Sequence, residues 1–244
     1  MTDDFSFCVC TYNSGKTLLD CLTTIRKLSN DSRLIVVDHN SSDDTPEIAS
    51  RFCAEVYCEN RGLGHARQLC LNLAQTRFIV FVDSDVEILR MDFLEISARI
   101  LSKEKYGAVV GAPQGHKFAY GLPASLLALR KSNFEGTVVP DYIDARETFF
   151  LQRRLNKLGL ETFYVPNAIV HRSQYRRFKP EWEGANTRIL PSRLLSELMS
   201  GLGVMILMGL NSRNAKNLAY IPVFYLRFLM GIANPTPWLR LKRE

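Results

Sequence analysis

Two aspartates separated by one residue, Asp83 and Asp85, follow directly on the apolar run "RFIVFV". At the end of an extended segment, residues two apart point the same way, so both carboxylates can converge on one ligand. Oxygen donors of this kind suit a hard divalent cation such as Mg²⁺ or Mn²⁺, which needs few protein ligands when substrate phosphates supply the others. A single D-x-D is common in proteins, but its place after a strand predicts a metal site here.

Two further polar clusters end apolar runs in the same way. Residues 11–13 (Thr-Tyr-Asn) follow "FSFCVC", and residues 38–40 (Asp-His-Asn) follow "RLIVV". In open α/β sheets, ligands bind outside the carboxyl ends of the strands. One such cluster would be an ordinary strand end, whereas three along one edge of a sheet predict a binding site.

The elements that position these clusters follow from the hydrophobic pattern. Nearly continuous apolar runs predict buried parallel strands, and apolar residues at helical spacing predict the helices between them. The predicted strands are 5–11, 33–38, 54–58 and 77–85, and the predicted helices are 16–28, 41–52 and 62–75. This alternation predicts an α/β fold with a doubly wound, mostly parallel sheet.

The middle of the chain is less regular. A strand is expected in "GAVVGAP", followed by a Gly-rich loop, "QGHKFAYGLP". The segment "DARETFFLQRRLNKLGL" predicts a helix that turns Phe150 or Leu151, Leu155 and Leu158 inward and ends at Gly159. Two short extended pieces are expected around Pro166, in "ETFYVPNAIVHRS".

The C-terminal part differs in charge and hydropathy. From Arg172 onward there are 12 Lys and Arg against four Asp and Glu, whereas the preceding residues carry a net charge of −2. Two apolar stretches, 194–210 and 218–233, contain Glu197 and Arg227 respectively, and neither supplies the roughly 20 clean apolar residues of a bilayer span. The pattern favours a helical hairpin lying at an anionic membrane surface rather than a nucleic-acid-binding face. Helices packed on the catalytic domain, or a homo-oligomer contact, are the alternatives.

Composition indicates the compartment. The 46% apolar and 23% charged fractions are those of a folded globular protein. No signal peptide is expected, because residues 1–4 lead directly into the first strand. The six cysteines lack metal-ligand spacing, which favours reduced, mostly buried thiols. A peripheral or monotopic protein on the cytoplasmic face of the membrane is therefore predicted.

Two nucleotide-binding motifs match only in part. The letters Ser14-Gly15-Lys16-Thr17 resemble the end of a Walker A loop, but Cys10 stands where that loop needs a glycine. The segment "GLGHAR" resembles a dinucleotide-binding loop, but its third glycine position is Arg67. Neither motif predicts a site by itself.

Four segments together resemble a known family: "CVCTYNSGKTLLDCLTTI", "LIVVDHNSSDDT", "NRGLGHARQLCLNLAQTRFIVFVDSDVEI" and "YVPNAIVHRS". In this order they are similar to the family 2 inverting glycosyltransferases of GT-A type. The resemblance covers about the first 110 residues well and residues 141–171 more loosely. It implies a GT-A catalytic domain at 1–175, with a nucleotide-binding half (1–110) and an acceptor-side half (111–175), followed by C-terminal helices at 176–244.

The resemblance also implies roles at the strand ends. A donor nucleotide would lie on the turn 11–13, where Thr11 and Tyr12 border the base beside Asn13. Asp38 would hold the base or ribose, and Arg67 would face the diphosphate. At the metal, Asp85 would be the principal ligand, Asp83 would touch the ribose or the metal, and His171 would lie near metal and diphosphate. Many relatives have Asp-Asp where this chain has Asp38-His39, so the expected donor is a nucleotide sugar of UDP or GDP type.

A catalytic base is implied in "DYIDARET". Glu147 aligns best with the family's base, Asp144 is the second candidate, and Asp141 is the third. An acceptor that is already an ionised lipid phosphate needs no base; Glu147 would then position it, with Arg146 as a phosphate partner.

The sequence thus predicts a metal-dependent inverting glycosyltransferase that moves a sugar from a nucleotide-sugar donor to a lipid-linked or membrane-proximal acceptor. Two alternatives remain: a sugar nucleotidyltransferase of similar fold, and a non-catalytic membrane scaffold that retains the nucleotide-binding fold.

Overall fold

The computed structural model describes residues 4–116, 121–173, 180–192, 194–211 and 219–240. The chain forms two compact units, the first drawn from residues 1–114 and 121–174 and the second from 115–120 and 175–244.

The first unit contains eight strands, five α-helices and a short 3-10 helix (Lys131–Phe134) in its described residues. The strands are β1 Phe5–Thr11, β2 Arg33–Asp38, β3 Glu55–Cys58, β4 Phe78–Asp83, β5 Val86–Ile88, β6 Tyr106–Pro113, β7 Leu126–Arg130 and β8 Glu161–His171. The helices are α1 Gly15–Leu28, α2 Thr45–Arg51, α3 Leu63–Leu73, α4 Phe93–Leu101 and α5 Thr148–Lys157.

The eight strands form one mixed sheet in the order β3-β2-β1-β4-β7-β6-β8-β5. Pairing is parallel between β1 and β2, β1 and β4, β2 and β3, and β6 and β8. Strand β7 runs antiparallel to both β4 and β6, and β5 runs antiparallel to β8. The predicted parallel half is therefore confirmed, and the second half of the sheet is more mixed than predicted.

Helices pack on both faces of the sheet because side chains alternate along each strand. In β1, Phe5, Phe7 and Val9 enter a core that also includes apolar residues of α1, α2 and α4. On the opposite face, Cys10 Sγ lies 3.9 Å from Cys70 Sγ of α3. The doubly wound arrangement thus follows from strands that carry buried residues on both faces of the sheet.

The acceptor-side half contains one prediction that was wrong. Phe150, Leu151 and Leu155 of α5 are buried as predicted, but Leu158 is 43% exposed. The helix ends at Lys157, and Gly159 follows with φ 68°, so Leu158 already belongs to the helix cap. The two extended pieces predicted around Pro166 form one irregular strand, β8, in which Asn167 has φ 52°.

All six cysteines are free thiols. Cys8, Cys21 and Cys70 are buried as expected, Cys10 is partly buried, and Cys53 and Cys58 are exposed. Burial is the main cause that raises the pKa of the Cys21 thiol, so this residue is a structural rather than a reactive cysteine.

The second unit consists of helices in the part that the structure describes: α6 Pro180–Arg188, α7 Leu194–Asn211, α8 Ile221–Ala233 and α9 Thr236–Arg240. Met205, Phe228 and Ile232 form its core between α7 and α8. At the crossing of α6 and α8, a Cβ on Gly184 or Gly231 would overlap the backbone of the other helix. Small residues therefore allow these two helices to approach closely.

The polar connection predicted between the two apolar stretches lies, after Asn211, outside the described residues up to Leu218. Within the described chain, every helix is too short or too polar to cross a lipid bilayer.

Candidate active site

The strand-end clusters lie at one edge of the sheet, as the sequence predicts. Thr11 at the end of β1 pairs with Asp38 at the end of β2, and Cys10 pairs with Asp83 at the end of β4. The register therefore brings together three segments that are far apart in sequence.

Asp38 organises the first of these loops. Its carboxylate is buried and accepts hydrogen bonds from Thr11 Oγ1 (2.7 Å), Ser41 N (2.7 Å) and Ser41 Oγ (2.6 Å). Three donors offset the cost of burying a charged group. Thr11 and Asp38 are thus together as predicted, and both are only slightly exposed at this edge.

The turn after β1 is joined to the loop after β2. Asn13 has φ 48°, a conformation that Asn tolerates better than most residues, and its backbone N–H donates to Ser41 Oγ at 2.8 Å. Its side-chain oxygen accepts from Ser42 N at 2.9 Å. Asn13 therefore shapes the turn through contacts within the protein.

The Walker-like letters do not form a phosphate loop. The N–H of Gly15, at the start of α1, donates to Asp43 Oδ2 at 2.9 Å, and that of Ser14 donates to Thr45 Oγ1 at 2.8 Å. The Thr45 hydroxyl and the Gly15 N–H also lower the pKa of Asp43. The positive end of α1 is thus occupied by a carboxylate of the same chain.

Tyr12 and His39 form the exposed border of this edge. Tyr12 is 63% exposed, and its ring meets the His39 imidazole edge-on at 5.3 Å between centroids. Nδ1 of His39 lies 2.5 Å from Oε1 of Glu59, whose other oxygen accepts from the N–H groups of Arg61 and Gly62. A carboxylate can only accept, so Nδ1 carries a proton. Glu59 was not predicted as a site residue, although an acidic residue directly after the predicted strand 54–58 could have indicated it.

Asp83 and Arg67 form an ion pair at the end of β4. Arg67 Nη2 donates to Asp83 Oδ1 at 2.7 Å, and Ser125 Oγ donates to Asp83 Oδ2 at 3.1 Å. The Arg67 side chain is 3% exposed. The guanidinium predicted to face a diphosphate is therefore buried beneath the site, and Asp83 has both oxygens engaged by the protein.

Asp85 lies in a turn rather than in an extended segment. Strand β4 ends at Asp83 and β5 begins at Val86. The prediction that Asp83 and Asp85 point the same way assumed an extended segment, so it is wrong at Asp85. Oδ1 of Asp85 lies 3.4 Å from His171 Nδ1, and the Ser173 hydroxyl donates to Oδ2. The two acids contact different partners.

His171 reaches Asp85 because β5 and β8 pair antiparallel, with His171 opposite Val86. The next residue strengthens this junction: Arg172 N donates to the Asp85 carbonyl at 2.7 Å, and its guanidinium forms a two-pronged ion pair with Glu87. Arg172 also lowers the pKa of Glu87. Arg172 and Ser173 were not singled out from the sequence.

The donor atoms at this junction fit a divalent cation. Asp85 and His171 offer oxygen and nitrogen, Ser173 offers a hydroxyl, and both acid and imidazole are partly exposed. The described residues contain no group of three or more His, Cys, Asp or Glu side chains arranged for a metal ion. This arrangement therefore suits a Mg²⁺ or Mn²⁺ ion that also binds substrate phosphates, rather than a structural metal ion held by protein ligands alone.

The segment that carries the candidate bases is attached to the start of α3. Gly64 N donates to the Ile143 carbonyl at 2.8 Å, and a Cβ on Gly62 would overlap the Asp144 carboxylate. Asp141 forms an ion pair with Arg61 near the surface. Glycines at 62 and 64 therefore let this segment approach the helix closely.

Glu147, the first candidate base, lies beside Arg67. It is 7% exposed, and its Oε1 lies 3.6 Å from Arg67 Nε. Arg146, immediately before it, has φ 61°, a rare conformation for a residue with a side chain. Asp144 lies beside Gly62 and Asp141 pairs with Arg61, both at the start of α3, whereas Glu147 lies next to the Arg67–Asp83 pair.

Gln68 is a further residue that the sequence did not reveal. Its side-chain oxygen accepts from Val138 N and Val139 N, and its amide donates to the Gly136 carbonyl at 3.0 Å. It fixes the backbone before the 140–147 segment. Gln68 is one polar residue on a predicted helix, so the sequence pattern did not predict this contact.

The family is established by comparison with known proteins. The chain belongs to glycosyl transferase family 2, whose model matches residues 6–177. It is similar to the putative glycosyltransferase EpsH of Bacillus subtilis (strain 168), with 30% identity over 110 residues. That match covers 42% of this chain and only 32% of EpsH.

Solved structures show the same fold. The mannosyltransferase PcManGT from Pyrobaculum calidifontis, in complex with GDP-Man and Mn²⁺, matches with a TM-score of 0.65 and 18% identity, over 98% of this chain and 73% of that chain. Glucosyl-3-phosphoglycerate synthase from Mycobacterium tuberculosis, in complex with Mn²⁺, UDP and phosphoglyceric acid, matches with a TM-score of 0.55 and 21% identity, over 70% and 71% of the two chains. The predicted GT-A-like α/β fold is confirmed.

Proposed function

We propose that residues 1–175 form the catalytic domain of a metal-dependent inverting glycosyltransferase that uses a UDP- or GDP-type sugar donor. The observation that carries this proposal is the sheet edge that holds Asp83 and the Asp85–His171 pair, where Arg67 of α3 links Asp83 to Glu147. Family membership and the nucleotide-sugar complexes of the two structural neighbours support it.

On the donor side, Tyr12 and His39 would border the base at the exposed rim, over the loop that Asp38 organises. Asp85 and His171 would hold Mn²⁺ or Mg²⁺ beside the diphosphate. When bound, the cation neutralises charge on the departing nucleoside diphosphate as a Lewis acid. Ser173 and Arg172 keep Asp85 in place for this role.

On the acceptor side, Glu147 would take the proton from the acceptor hydroxyl as it attacks the anomeric carbon. Inversion follows from a single in-line displacement at that carbon. Glu147 is largely shielded from water, which strengthens its electrostatic interactions. With an ionised phosphate acceptor, Glu147 would orient the acceptor and Arg146 would pair with it.

The test is a thermal-shift and calorimetry screen of UDP-glucose and GDP-mannose with Mn²⁺, with Mg²⁺ and with EDTA. Binding to the native state raises its stability, so a metal-dependent rise in the unfolding temperature is expected with at least one donor. Absence of binding by any nucleotide sugar under every metal condition would refute the proposal.

Asp85→Ala separates this function from a non-catalytic membrane scaffold. An enzyme loses turnover, whereas a membrane scaffold keeps its cellular role. A sugar nucleotidyltransferase would instead form the nucleotide sugar from a sugar phosphate and a nucleoside triphosphate. The start of α1 is occupied by Asp43, which disfavours a triphosphate in the first turn.

We further propose that the C-terminal helices bind the surface of an anionic bilayer on the cytoplasmic side, giving access to a lipid-linked or membrane-proximal acceptor. Both α7 and α8 carry exposed apolar residues outside their shared core, here called the apolar stripe: Leu195, Met199, Ile206 and Leu210 on α7, and Val223, Leu226 and Met230 on α8. The net charge of +8 from Arg172 onward complements anionic lipid. Helices that lie at an interface have this combination of an apolar face and basic residues.

Vesicle co-sedimentation tests the membrane proposal. Phosphatidylcholine vesicles containing phosphatidylglycerol should bind the protein, and Leu226→Glu should weaken binding on the order of tenfold, since burial of a leucine contributes about 1.5–3 kcal/mol. Leu158→Glu is a matched control, because Leu158 is exposed on the first unit. Equal binding by Leu226→Glu and the unaltered chain, or self-association that buries the apolar stripe without lipid, would contradict the proposal.

A further inference from the structure

Arg67 carries its positive charge on a side chain that is almost completely buried. Nη2 donates to Asp83 at 2.7 Å, Nε lies 3.6 Å from Glu147 Oε1, and the guanidinium stacks 4.9 Å from the centroid of Phe81. One side chain thus lies between the first acid of the D-S-D motif and the candidate base.

Negatively charged neighbours explain why the buried guanidinium of Arg67 is tolerated. Burial, the largest effect, lowers the pKa of Arg67, but its acidic neighbours, among them the carboxylates of Asp83 and Glu147, outweigh it and the net pKa is raised. Removing one partner of a buried ion pair is strongly destabilising, because it leaves the other charge uncompensated. Arg67 and the two acids are therefore expected to behave as a unit.

The geometry does not suit a direct contact with diphosphate. Nη2 is engaged by Asp83, and Nε faces Glu147 at a distance slightly too long for a hydrogen bond. Nε and Nη1 are buried without a hydrogen-bond partner in the described chain. A buried donor without a hydrogen-bond partner is unfavourable, so a small approach of Glu147 to Nε would stabilise the folded protein.

We propose that Arg67 is a positioning residue: it holds Asp83, on the donor side, and Glu147, on the acceptor side, in one fixed arrangement, and it does not bind the diphosphate itself. This inference rests on the proposed function for the role of Glu147. It replaces the role that the family resemblance implied for Arg67. A guanidinium is the side chain suited to this task, because its planar fork can bond two carboxylates at once.

Arg67→Lys tests the proposal, since lysine keeps the positive charge but lacks the planar set of donors of the guanidinium. The turnover of UDP-glucose or GDP-mannose, measured as nucleoside diphosphate release with Mn²⁺, should fall about 100-fold, the effect of a small misplacement of reacting groups. The donor Kd from calorimetry should change less than about threefold. A rise in donor Kd that matches the loss of turnover would make Arg67 a diphosphate ligand and overturn the proposal.

A double-mutant cycle identifies the group through which Arg67 acts. In a Glu147→Gln background, Arg67→Lys should reduce turnover less than about threefold further, because residues that act as a unit are not additive. Full additivity would show that Arg67 acts independently of Glu147.

If Arg67→Lys does not fold, thermal unfolding of other variants without ligand tests the link between Arg67 and Glu147. Glu147→Gln removes a charge next to the buried guanidinium and should lower the unfolding temperature, whereas Asp141→Asn, at the exposed pair with Arg61, should change it little. An unchanged temperature for Glu147→Gln would refute the linkage. If the unaltered chain binds no donor, the proposed function fails, while this measurement still decides the linkage.

Discussion

Nδ1 of His171 lies 3.4 Å from Oδ1 of Asp85, although 86 positions separate the two residues in sequence. The antiparallel pairing of β5 with β8 creates this proximity. Neither residue alone defines a metal site, but an acid and an imidazole at one sheet edge provide the two kinds of donor atom that Mn²⁺ accepts.

Asp85→Ala should abolish the Mn²⁺-dependent rise in unfolding temperature and reduce donor turnover on the order of 100-fold or more, since a Lewis-acid cation contributes several kcal/mol at the transition state. Calorimetry with Mn²⁺ and a turnover assay check this. Asp31→Asn, an exposed aspartate elsewhere, is the control. Retention of manganese binding by Asp85→Ala would place the cation at other ligands.

Thr11→Val should lower the free energy of unfolding by about 1–3 kcal/mol, because it removes a donor from the buried Asp38 carboxylate. Thr11→Ser keeps the hydroxyl and should cost less. Urea denaturation of the three proteins measures the difference. If valine is tolerated as well as serine, then the hydrogen bond between the ends of β1 and β2 contributes little to stability.

The stabilising contact of Asp43 with the start of α1 should depend on pH. The pKa of Asp43 is lowered in the folded protein, so its contribution is fully present above the ordinary Asp value of about 3.9 and is lost as the pH falls through the lowered value. The difference in unfolding temperature between the unaltered chain and Asp43→Asn should therefore shrink on acidification. A difference that grows instead would show that the carboxylate charge does not stabilise the helix start.

Gly231→Ala should destabilise the C-terminal helices by about 1–3 kcal/mol, because its Cβ would overlap the Glu181 backbone. Gly203→Ala is the matched control, since a Cβ there meets open space and alanine favours a helix. Limited proteolysis and thermal unfolding compare the two. Equal resistance would mean that α6 and α8 can separate without loss of stability.

Much of the fold could be predicted from the sequence, because apolar periodicity is a local signal. The bounds of β1 and β2 match the predicted 5–11 and 33–38, and the strand ends share one edge as expected. Strand β7 was missed because "LLALR" consists of good helix formers, and only its pairing with β4 and β6 makes it extended.

The candidate site was predicted less completely, because its side chains depend on contacts between distant segments. The family resemblance placed Asp85 and His171 near one metal ion, and their side chains lie side by side in the structure. The resemblance could not reveal that Arg67 is buried, since a charged residue on a helix normally faces solvent. The turn at Ser84–Asp85 was not predicted either, because polar residues after an apolar run fit an extended strand end and a turn equally well.

Strand β8 has two parts: Glu161–Val165 pair with β6, whereas the last part pairs with β6 at Ile169 and with β5 through Ile169–His171. Asn167, in its left-handed conformation, lies between these two parts. A residue inserted next to Asn167 could be accommodated by the existing irregularity, whereas one inserted after Ile169 would turn the His171 ring to the other side of the sheet. Natural length variation in this strand should therefore concentrate around Pro166 and Asn167.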